Sequence, residues 1–240
     1  MVNLRNEQYT EFMNRFNLKG KKILITAGRT VEYIDPVRVI TNNSSGKMGF
    51  AIAQAAKDMG ADVTVVYGKG TVEPDGRFNV IRVNTADDMK EAVEKELASG
   101  NYDMMFASSA VGDWRPESMS REKISTRKNK KLVLTLVPTV KIIDGIKKKF
   151  PKVFLVAFRA LHDLSEKELL SDGKQRMKIA DADMIAVNDV SKPGQGFETD
   201  TNAMLAVTKD GKVTKLGFAS KFDIARKLLT IAEERICRRR

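Results

Sequence analysis

Residues 21–60, KKILITAGRTVEYIDPVRVITNNSSGKMGFAIAQAAKDMG, contain the pattern that decides the fold. Their first eight residues form a short apolar run that stops at Gly28, as a buried strand of a parallel sheet does. From Gly46 to Met59 the apolar residues recur with helical spacing, and Gly60 follows the last of them. The stretch therefore predicts a strand, a long polar loop and a helix.

The rest of the chain alternates predicted strands with predicted helices. The further strands are predicted in ADVTVVYG, NVIRVN, YDMMFASSAVGD, LVLTLV, KVFLVAF and DADMIAVND. Near the C-terminus, NAMLAVTKDGKVTKLGF predicts two strands joined by a Lys-Asp-Gly turn. This alternation predicts an α/β fold with a Rossmann-like, doubly wound and mostly parallel sheet.

Three further helices are predicted between these strands, and a fourth follows the last of them. TADDMKEAVEKELASG carries a Thr85–Asp88 capping-box pattern, with Gly100 expected just beyond the helix end. TVKIIDGIKKKF predicts a second helix, a third is expected from about Gln175, and the last spans about 220–236. The helices supply the two layers that a doubly wound sheet requires.

A polar, basic segment, WRPESMSREKISTRKNKK, interrupts the alternation after the fourth predicted strand. A loop of this length without a clear period is expected to be a functional flap or a linker. The chain shows no internal repeat. We therefore predict a lead-in with an amphipathic helix over residues 1–20 and a single domain over residues 21–240, with a protruding flap and a C-terminal hairpin.

The composition favours anionic partners without choosing among them. Lys and Arg number 42 against 31 Asp and Glu, a formal net charge of +11, which suits nucleotides, phosphorylated metabolites or nucleic acid. The single cysteine, Cys237, leaves no internal disulfide and no cysteine-rich zinc site. No apolar run approaches the roughly 20 residues that a bilayer requires. We therefore expect a soluble, cytoplasmic protein.

A strand, a glycine and a helix near the N-terminus also raise the alternative of a nicotinamide-dependent reductase. That class requires G-x-G-x-x-G directly after the first strand and an acidic residue after the second. Here a long loop delays the helix, and the second strand ends at Tyr67, Gly68 and Lys69. The helix entrance still offers backbone N–H groups to an anion. The pattern thus favours an anion site over a dinucleotide site.

Several motifs, taken in order, resemble the phosphopantothenate-cysteine ligase family, also called phosphopantothenoylcysteine synthetase. They are ITAGRTVEYIDPVRVITNNSSGKMGFAIAQAA, ASSAVGDWRP, EKI, PTVKIID, VAF and ADMIAVNDVSKPGQGFETDTNA, and the resemblance runs from about residue 21 to residue 235. It implies that the carboxylate of 4'-phosphopantothenate attacks the α-phosphate of a nucleoside triphosphate. Pyrophosphate leaves, and the amine of L-cysteine then displaces the nucleotide to form 4'-phosphopantothenoyl-L-cysteine, a step of coenzyme A biosynthesis.

The resemblance also implies partners. CTP is expected as co-substrate ahead of ATP, with Mg2+, and the C-terminal hairpin is expected to form a homodimer. Many family members are fused to a flavin-dependent decarboxylase, so an attached or associated decarboxylase is a further expectation. No segment of this chain resembles that half. The resemblance therefore predicts ligase activity alone and no nucleic-acid or membrane partner.

The resemblance assigns roles to particular residues, with Asn42 and Lys123 as the catalytic pair. An amide such as Asn42 can donate to a developing oxyanion, and a flap cation such as Lys123 can offset phosphoryl charge. The substrate-binding residues it implies are Arg38, Asn42, Ser44, Ser45, Gly46, Lys47, Ser109 and Ala110. The nucleotide-binding residues it implies are Gly28, Asp113, Lys123, Pro138, Thr139, Val140, Lys141, Phe158 and Arg176. The metal ligands are not implied.

Each assignment has a structural alternative. NNSS is also a capping sequence, an aspartate after a strand is often a turn residue, and Phe158 could belong to the core. Ala180 stands where the family has a lysine, which leaves Lys174 or Lys178 as replacements. His162 is taken as incidental. The basic composition alone allows a nucleic-acid-binding module, although one tryptophan offers little base stacking.

Overall fold

The computed structural model describes residues 17–127 and 130–238, which form twelve strands and five helices. The strands are β1 (Lys22–Ala27), β2 (Val31–Tyr33), β3 (Val39–Thr41), β4 (Asp62–Tyr67), β5 (Asn79–Arg82), β6 (Met104–Ala107), β7 (Trp114–Pro116), β8 (Leu136–Pro138), β9 (Phe154–Leu161), β10 (Met184–Asp189), β11 (Thr201–Thr208) and β12 (Val213–Ser220). The helices are α1 (Lys47–Asp58), α2 (Ala86–Gly100), α3 (Ile142–Lys149), α4 (Glu166–Ala180) and α5 (Lys221–Cys237).

Eight of these strands form one central sheet in the order β12–β11–β10–β9–β6–β1–β4–β5. The six from β10 to β5 are parallel, and β11 and β12 extend the sheet as an antiparallel hairpin. Numbered along the chain, the parallel strands have the order 3-2-1-4-5-6 of a Rossmann-like sheet. The predicted fold class is confirmed. Strand order reverses between β1 and β6, which is where ligands of such sheets bind.

The sheet separates two hydrophobic layers because successive strand residues face opposite sides. In β1, Ile23 and Ile25 join the cluster that contains α1 and α5, whereas Leu24 joins the cluster of α2, α3 and α4. All three side chains are fully buried. Burial on both faces explains why this strand is apolar at almost every position.

Two predicted helix boundaries differ from the structure. The Thr85–Asp88 capping box of α2 is confirmed, but Gly100 lies inside the helix, and Asn101 ends it in the left-handed conformation. α4 begins at Glu166, well before the predicted start near residue 175, because Ser165 and Glu168 form a second capping box. Gly173 weakens the helical pattern there. A Cβ at Gly173 would meet Val187 at 2.6 Å, so close packing on the sheet requires the glycine.

Three features of the strands refine the sequence prediction. The predicted strand LVLTLV is wrong over residues 132–135, where the side chains are exposed, and the ladder that forms, β8, pairs with β7 outside the central sheet. A second two-stranded ribbon, β2–β3, follows β1 and was not predicted. The hairpin β11–β12 has its turn at Lys209–Gly211 as predicted, and it lies in the central sheet against β10.

The predicted lead-in helix falls on residues 1–16, outside the described residues, and continues only to residue 18. The domain boundary near residue 20 therefore stays a prediction. In the part of the chain that the structure describes, none of the helices is long and apolar enough to cross a membrane.

Gly28, directly after β1, allows the chain to pass between the loops that follow β4 and β6. It has a φ of +77°, and a Cβ there would lie 2.5 Å from the Lys69 carbonyl oxygen and 2.8 Å from the Tyr67 ring. Its own carbonyl accepts from the Ala110 amide at 2.8 Å. Both the backbone conformation and the lack of space require glycine at this position.

Replacing Gly28 with alanine is expected to lower the free energy of unfolding by about 2 to 4 kcal/mol, because it adds a steric overlap to an unfavourable φ. Gly76 is the matched control, since it has a φ of +79° and a Cβ added there would meet nothing within 4 Å. Gly76→Ala is expected to cost about 1 kcal/mol. Urea unfolding of both variants measures the difference, and equal losses would refute the steric account.

Candidate active site

A cleft of about 420 Å³ opens at the carboxyl ends of β1, β6, β9 and β10. It lies at the switch point of the sheet, between the entrance of α1 and the loop that follows β6. Polar residues from both sides face each other across a lining that also contains Met105, Phe158 and Met204. The cleft combines an apolar floor with convergent polar groups, as small-molecule sites do.

The entrance of α1 forms one end of the cleft. Gly46 is the N-cap, has a φ of +86° and provides no side-chain cap, and the first turn of the helix has no acidic residue. Ser44 and Ser45 are buried, and the Arg29 guanidinium holds the Ser44 carbonyl oxygen at 2.7 Å. The positive end of a helix that lacks an acidic cap is suited to an anion.

Asn42 connects this entrance to the loop after β6. Its Nδ2 donates to the carbonyl oxygens of Val111 at 3.1 Å and Ala110 at 3.4 Å. The amide therefore fixes the position of the two loops on either side of the switch point. The side chain is exposed and lines the cleft, so it can also contact a bound molecule.

The opposite side of the cleft contains three cations, each paired with a carboxylate. Lys141 pairs with Asp113, and Arg176 pairs with Asp144. Arg159 pairs with Asp172 through two hydrogen bonds, Nε to Oδ1 at 2.7 Å and Nη2 to Oδ2 at 3.3 Å. Such pairs hold the cations in fixed orientations.

A loop over residues 196–200 closes the cleft near the start of α5. Ser45 Oγ donates to the Phe197 carbonyl oxygen at 2.5 Å, and Lys47 Nζ donates to Glu198 O and to Asp200 Oδ1, each at 2.7 Å. Lys221, at the start of α5, also lines the cleft. The hydrogen bond and charge of Lys47 lower the pKa of Asp200.

The segment between β7 and β8 is held against the β2–β3 ribbon by Asp35 and Arg38. Asp35 Oδ2 accepts from the Ile124 amide at 3.2 Å, and Arg38 Nη1 donates to the Ile124 carbonyl oxygen at 3.1 Å and pairs with Asp35. Lys123, the neighbour of Ile124, is exposed. The two side chains thus position the part of the flap that carries Lys123.

The described residues contain no cluster of three or more His, Cys, Asp or Glu side chains that could hold a metal ion. Among the described lining residues of the cleft, Asp113 is the one carboxylate, and Lys141 is its ion-pair partner. This donor set fits a metal ion that binds mainly through the phosphates of a substrate, since Mg2+ commonly uses one or two carboxylates together with phosphate oxygens and water.

Comparison with known proteins places this geometry in a family. The model of the DNA/pantothenate metabolism flavoprotein C-terminal domain, the DFP domain, matches residues 18–235. The chain belongs to the DFP family. It is 42% identical over 212 residues to the coenzyme A biosynthesis bifunctional protein CoaBC of Thermococcus kodakarensis, a match that covers 88% of this chain and 51% of the relative. The chain spans about half the length of the curated relatives it matches.

Solved structures agree with this assignment. The C-terminal domain of a coenzyme A biosynthesis bifunctional protein CoaBC has a TM-score of 0.75 and 33% identity, over 91% of this chain and 96% of that one. A Cab2 mutant in complex with phosphopantothenate-cysteine has a TM-score of 0.73 and 16% identity, over 99% of this chain and 95% of that one. At that identity the second likeness concerns the fold.

The DFP domain brings together most of the site residues predicted from the sequence. The predicted residues that line the cleft are Asn42, Ser44, Ser45, Gly46, Lys47, Ser109, Ala110, Asp113, Val140, Lys141, Phe158 and Arg176. Phe158 also packs against the core, so the two interpretations of this residue are compatible. Their contacts with substrates stay predictions.

The remaining predicted residues lie outside the lining of the cleft. Gly28 shapes the backbone after β1, and Arg38 and Lys123 belong to the flap contact. Thr139 donates through its hydroxyl to the Gly112 carbonyl oxygen and, together with Pro138, belongs to the segment that places Lys141 beside Asp113. The direct substrate contacts expected of these residues are therefore not visible in this arrangement and stay predictions.

Sequence reasoning missed three parts of this DFP domain site: Arg159, Lys221 and the 196–200 loop. Arg159 follows Phe158 in a strand pattern that gave no sign of a functional side chain. Neither Lys174 nor Lys178, the expected replacements for a lysine at the buried Ala180, lines the cleft, whereas Arg159 does. The signal was present only as an unexplained departure in AFRALHD.

Two polar residues that end β10 have different surroundings. Asn188 lines the cleft, and its Nδ2 donates to Asn202 Oδ1 at 3.2 Å. Asp189 instead accepts from the hydroxyl and amide of Ser191 and from the Asp163 amide, and the Ser191 hydroxyl is the main cause of its strongly lowered pKa. Asp189 therefore serves the following turn. His162 is exposed and lies outside the lining.

The Asp35 contact makes the position of the flap sensitive to pH. Burial raises the pKa of Asp35, but hydrogen bonds from the amides of Val37, Ile124 and Arg38 outweigh it and lower the value to about 2. A carboxyl with a lowered folded-state pKa stabilises the fold above its unfolded value near 3.8. That stabilisation is lost as the pH falls from about 4 to about 2.

Asp35→Asn is expected to be less stable than the wild type at pH 6, with a gap that narrows between about pH 4 and pH 2 as the wild-type carboxyl is protonated. The amide of Ile124 is expected to exchange its hydrogen faster in the variant. Glu117→Gln, which changes an exposed flap carboxyl, is the control. A stability gap that does not change with pH would contradict the role of the carboxylate.

Proposed function

We propose that this DFP domain joins 4'-phosphopantothenate to L-cysteine at the expense of a nucleoside triphosphate, as a phosphopantothenate-cysteine ligase of coenzyme A biosynthesis. The observation that carries the proposal is the cleft at the switch point, which sets an anion-seeking helix entrance and Asn42 opposite three oriented cations. Two anionic substrates that must react with each other require this kind of arrangement. The names of the relatives support the same chemistry.

The proposed reaction has two steps with complete atom balance. A carboxylate oxygen of phosphopantothenate attacks the α-phosphorus, the bond to the bridging oxygen breaks, and pyrophosphate leaves. The cysteine amine then attacks the acyl carbon, the bond to the nucleotide oxygen breaks, and a nucleoside monophosphate leaves while the amine loses a proton to solvent. Positioning does most of the work, because an amine is a good nucleophile once it is held beside an activated acyl group.

Charge placement in the cleft supports particular roles. The entrance of α1, with Ser44 and Ser45, is assigned a phosphoryl group, and the phosphate of phosphopantothenate is the expected guest. Asn42 is assigned the reacting carboxylate and the acyl-phosphate oxygens, to which a neutral amide can donate without adding charge. Lys123 on the flap and Arg176 are assigned the phosphoryl oxygens of the nucleotide.

CTP is proposed as the nucleotide ahead of ATP, and Mg2+ as the ion that accompanies it. The ion would be held by phosphate oxygens and water, with Asp113 as its protein ligand, and when bound it offsets the charge that repels an incoming carboxylate. The protein's own residues then orient the two substrates. The cytoplasmic location stays a prediction.

We also propose that the chain forms a homodimer across β12. This strand lies at the edge of the central sheet, and Phe218 on it is 61% exposed. An edge strand with unpaired backbone groups and an exposed aromatic side chain is a common place for a second copy to pair. A flavin-dependent decarboxylase, fused or associated, remains the expected functional partner, in line with the word bifunctional in the relatives' names.

The first experiment measures pyrophosphate release with CTP or ATP in the presence of 4'-phosphopantothenate, with and without cysteine. We expect release to require phosphopantothenate and the amide product to require cysteine as well, because the acyl-nucleotide forms first. The preferred nucleotide is the one with the higher kcat/KM. Release that is independent of phosphopantothenate, or no release with either nucleotide, would refute the proposal.

Asn42→Asp is expected to lower kcat/KM by about a hundredfold or more, because a carboxylate there removes a donor and repels the reacting carboxylate. Asn42→Ala removes the donor without adding charge and is expected to lose less. Steady-state kinetics of both variants, with circular dichroism to check the fold, separate the two effects. Equal losses would show that charge plays no part.

A further inference from the structure

Lys221 is a buried cation that the reaction steps above do not use. It is the first residue of α5, is 5% exposed and lines the cleft. Its Nζ donates to three backbone carbonyl oxygens: those of Gly196 at 3.2 Å, Phe197 at 3.1 Å and Thr199 at 2.5 Å. All three acceptors belong to the 196–200 loop, which we call the clasp.

The clasp is held from a second direction by the entrance of α1. Ser45 Oγ donates to the Phe197 carbonyl oxygen, and Lys47 Nζ donates to the Glu198 carbonyl oxygen and to Asp200. Two helices that are far apart in sequence therefore meet on one five-residue loop. Phe197 accepts from both, so its carbonyl is the point where the two sets of contacts join.

Carbonyl oxygens beside an anion site create an electrostatic problem. Each carries partial negative charge, and three of them turned toward the cleft would repel a phosphoryl group at the α1 entrance. The Lys221 ammonium draws these oxygens toward itself and adds a positive charge at the cleft wall. Buried acceptors that lose their donor are costly, which makes the arrangement depend on this one side chain.

We propose that Lys221 is a positioning residue, which holds the clasp carbonyls away from the phosphoryl group bound at the α1 entrance and so keeps Ser45 and Lys47 in place. The inference rests on the proposed function, because that function supplies the phosphoryl group. It deepens the function by assigning the anion end of the cleft a residue that acts through its neighbours.

The surroundings of Lys221 also make the clasp depend on pH. Burial lowers the pKa of Lys221 to about 8, the charge of Lys47 from α1 lowers it further, and Asp200 from the clasp opposes the shift. Above about pH 8 the side chain becomes a neutral amine with two N–H groups, which cannot donate to three carbonyls. The clasp contacts are therefore expected to weaken as the pH rises through this value.

The test compares Lys221→Met with Lys227→Met in the full chain. Lys227 lies on the same helix and also donates to one backbone carbonyl, Leu216 O at 2.8 Å, but it is not part of the cleft lining. We expect Lys221→Met to raise the KM of one of the two phosphorylated substrates about tenfold, with kcat and the KM of cysteine little changed. Amides of residues 196–200 should exchange hydrogen about tenfold faster, whereas Lys227→Met should show neither effect.

The outcomes are distinguishable. An unchanged KM and unchanged exchange in Lys221→Met would overturn the inference, as would a loss of kcat alone. If the wild-type chain joins no phosphopantothenate to cysteine, the proposed function fails, and the exchange of the clasp amides still decides whether Lys221 holds the loop. Should Lys221→Met not fold, the wild type is titrated from pH 7 to pH 9.5: the inference requires the KM of the same phosphorylated substrate to rise through about pH 8, and a flat profile would overturn it.

Discussion

The site depends on the hydrogen bonds that hold the chain immediately after β1 between two neighbouring loops. Arg29 exchanges backbone hydrogen bonds with Lys69 on one side, at 2.8 and 2.7 Å, and the Ala110 amide donates to Gly28 on the other. These contacts carry the chain past the sheet edge before the α1 helix starts. The resulting detour creates room for a ligand where a dinucleotide fold would place its first glycine turn.

Once this detour is fixed, the remaining parts of the site follow from the sheet. Parallel strands end at one edge, so the segments after β6, β9 and β10 all reach the cleft. Each contributes a different chemistry: the loop after β6 offers backbone carbonyls to Asn42, β9 supplies Phe158 and Arg159, and β10 supplies Asn188. The antiparallel hairpin and α5 then return the chain to the helix entrance, where Lys221 meets the clasp.

The fold could be predicted well from the sequence because its signals are local. Strand runs bounded by glycine and the Thr85–Asp88 capping box each describe the conformation of a few neighbouring residues. The start of α4 was missed because Gly173 weakens the helical pattern, although long-range packing against Val187 requires it. The apolar run at 132–135 was taken for a strand because its composition does not show that it finds no partner in the central sheet.

The site was predicted less evenly, for the same physical reason. Motifs located the residues around the cleft, because a family resemblance carries residue positions directly. The function of Lys221 depends on carbonyls 22 to 25 positions away, which no pattern of residue types reveals. Arg38 shows the opposite case: its sequence context suggested a ligand contact, while its guanidinium lies against Asp35 and the Ile124 carbonyl.

The pairing of Lys141, Arg159 and Arg176 with carboxylates has a consequence for how fast a nucleotide arrives. Cations that are already neutralised locally exert little attraction at a distance, so the cleft itself does not steer an approaching polyanion strongly. The long-range field comes instead from the net charge of +11 spread over the whole chain. Capture from solution should then slow as salt is added, while the lifetime of the bound nucleotide, which is set by short-range contacts inside the cleft, changes less.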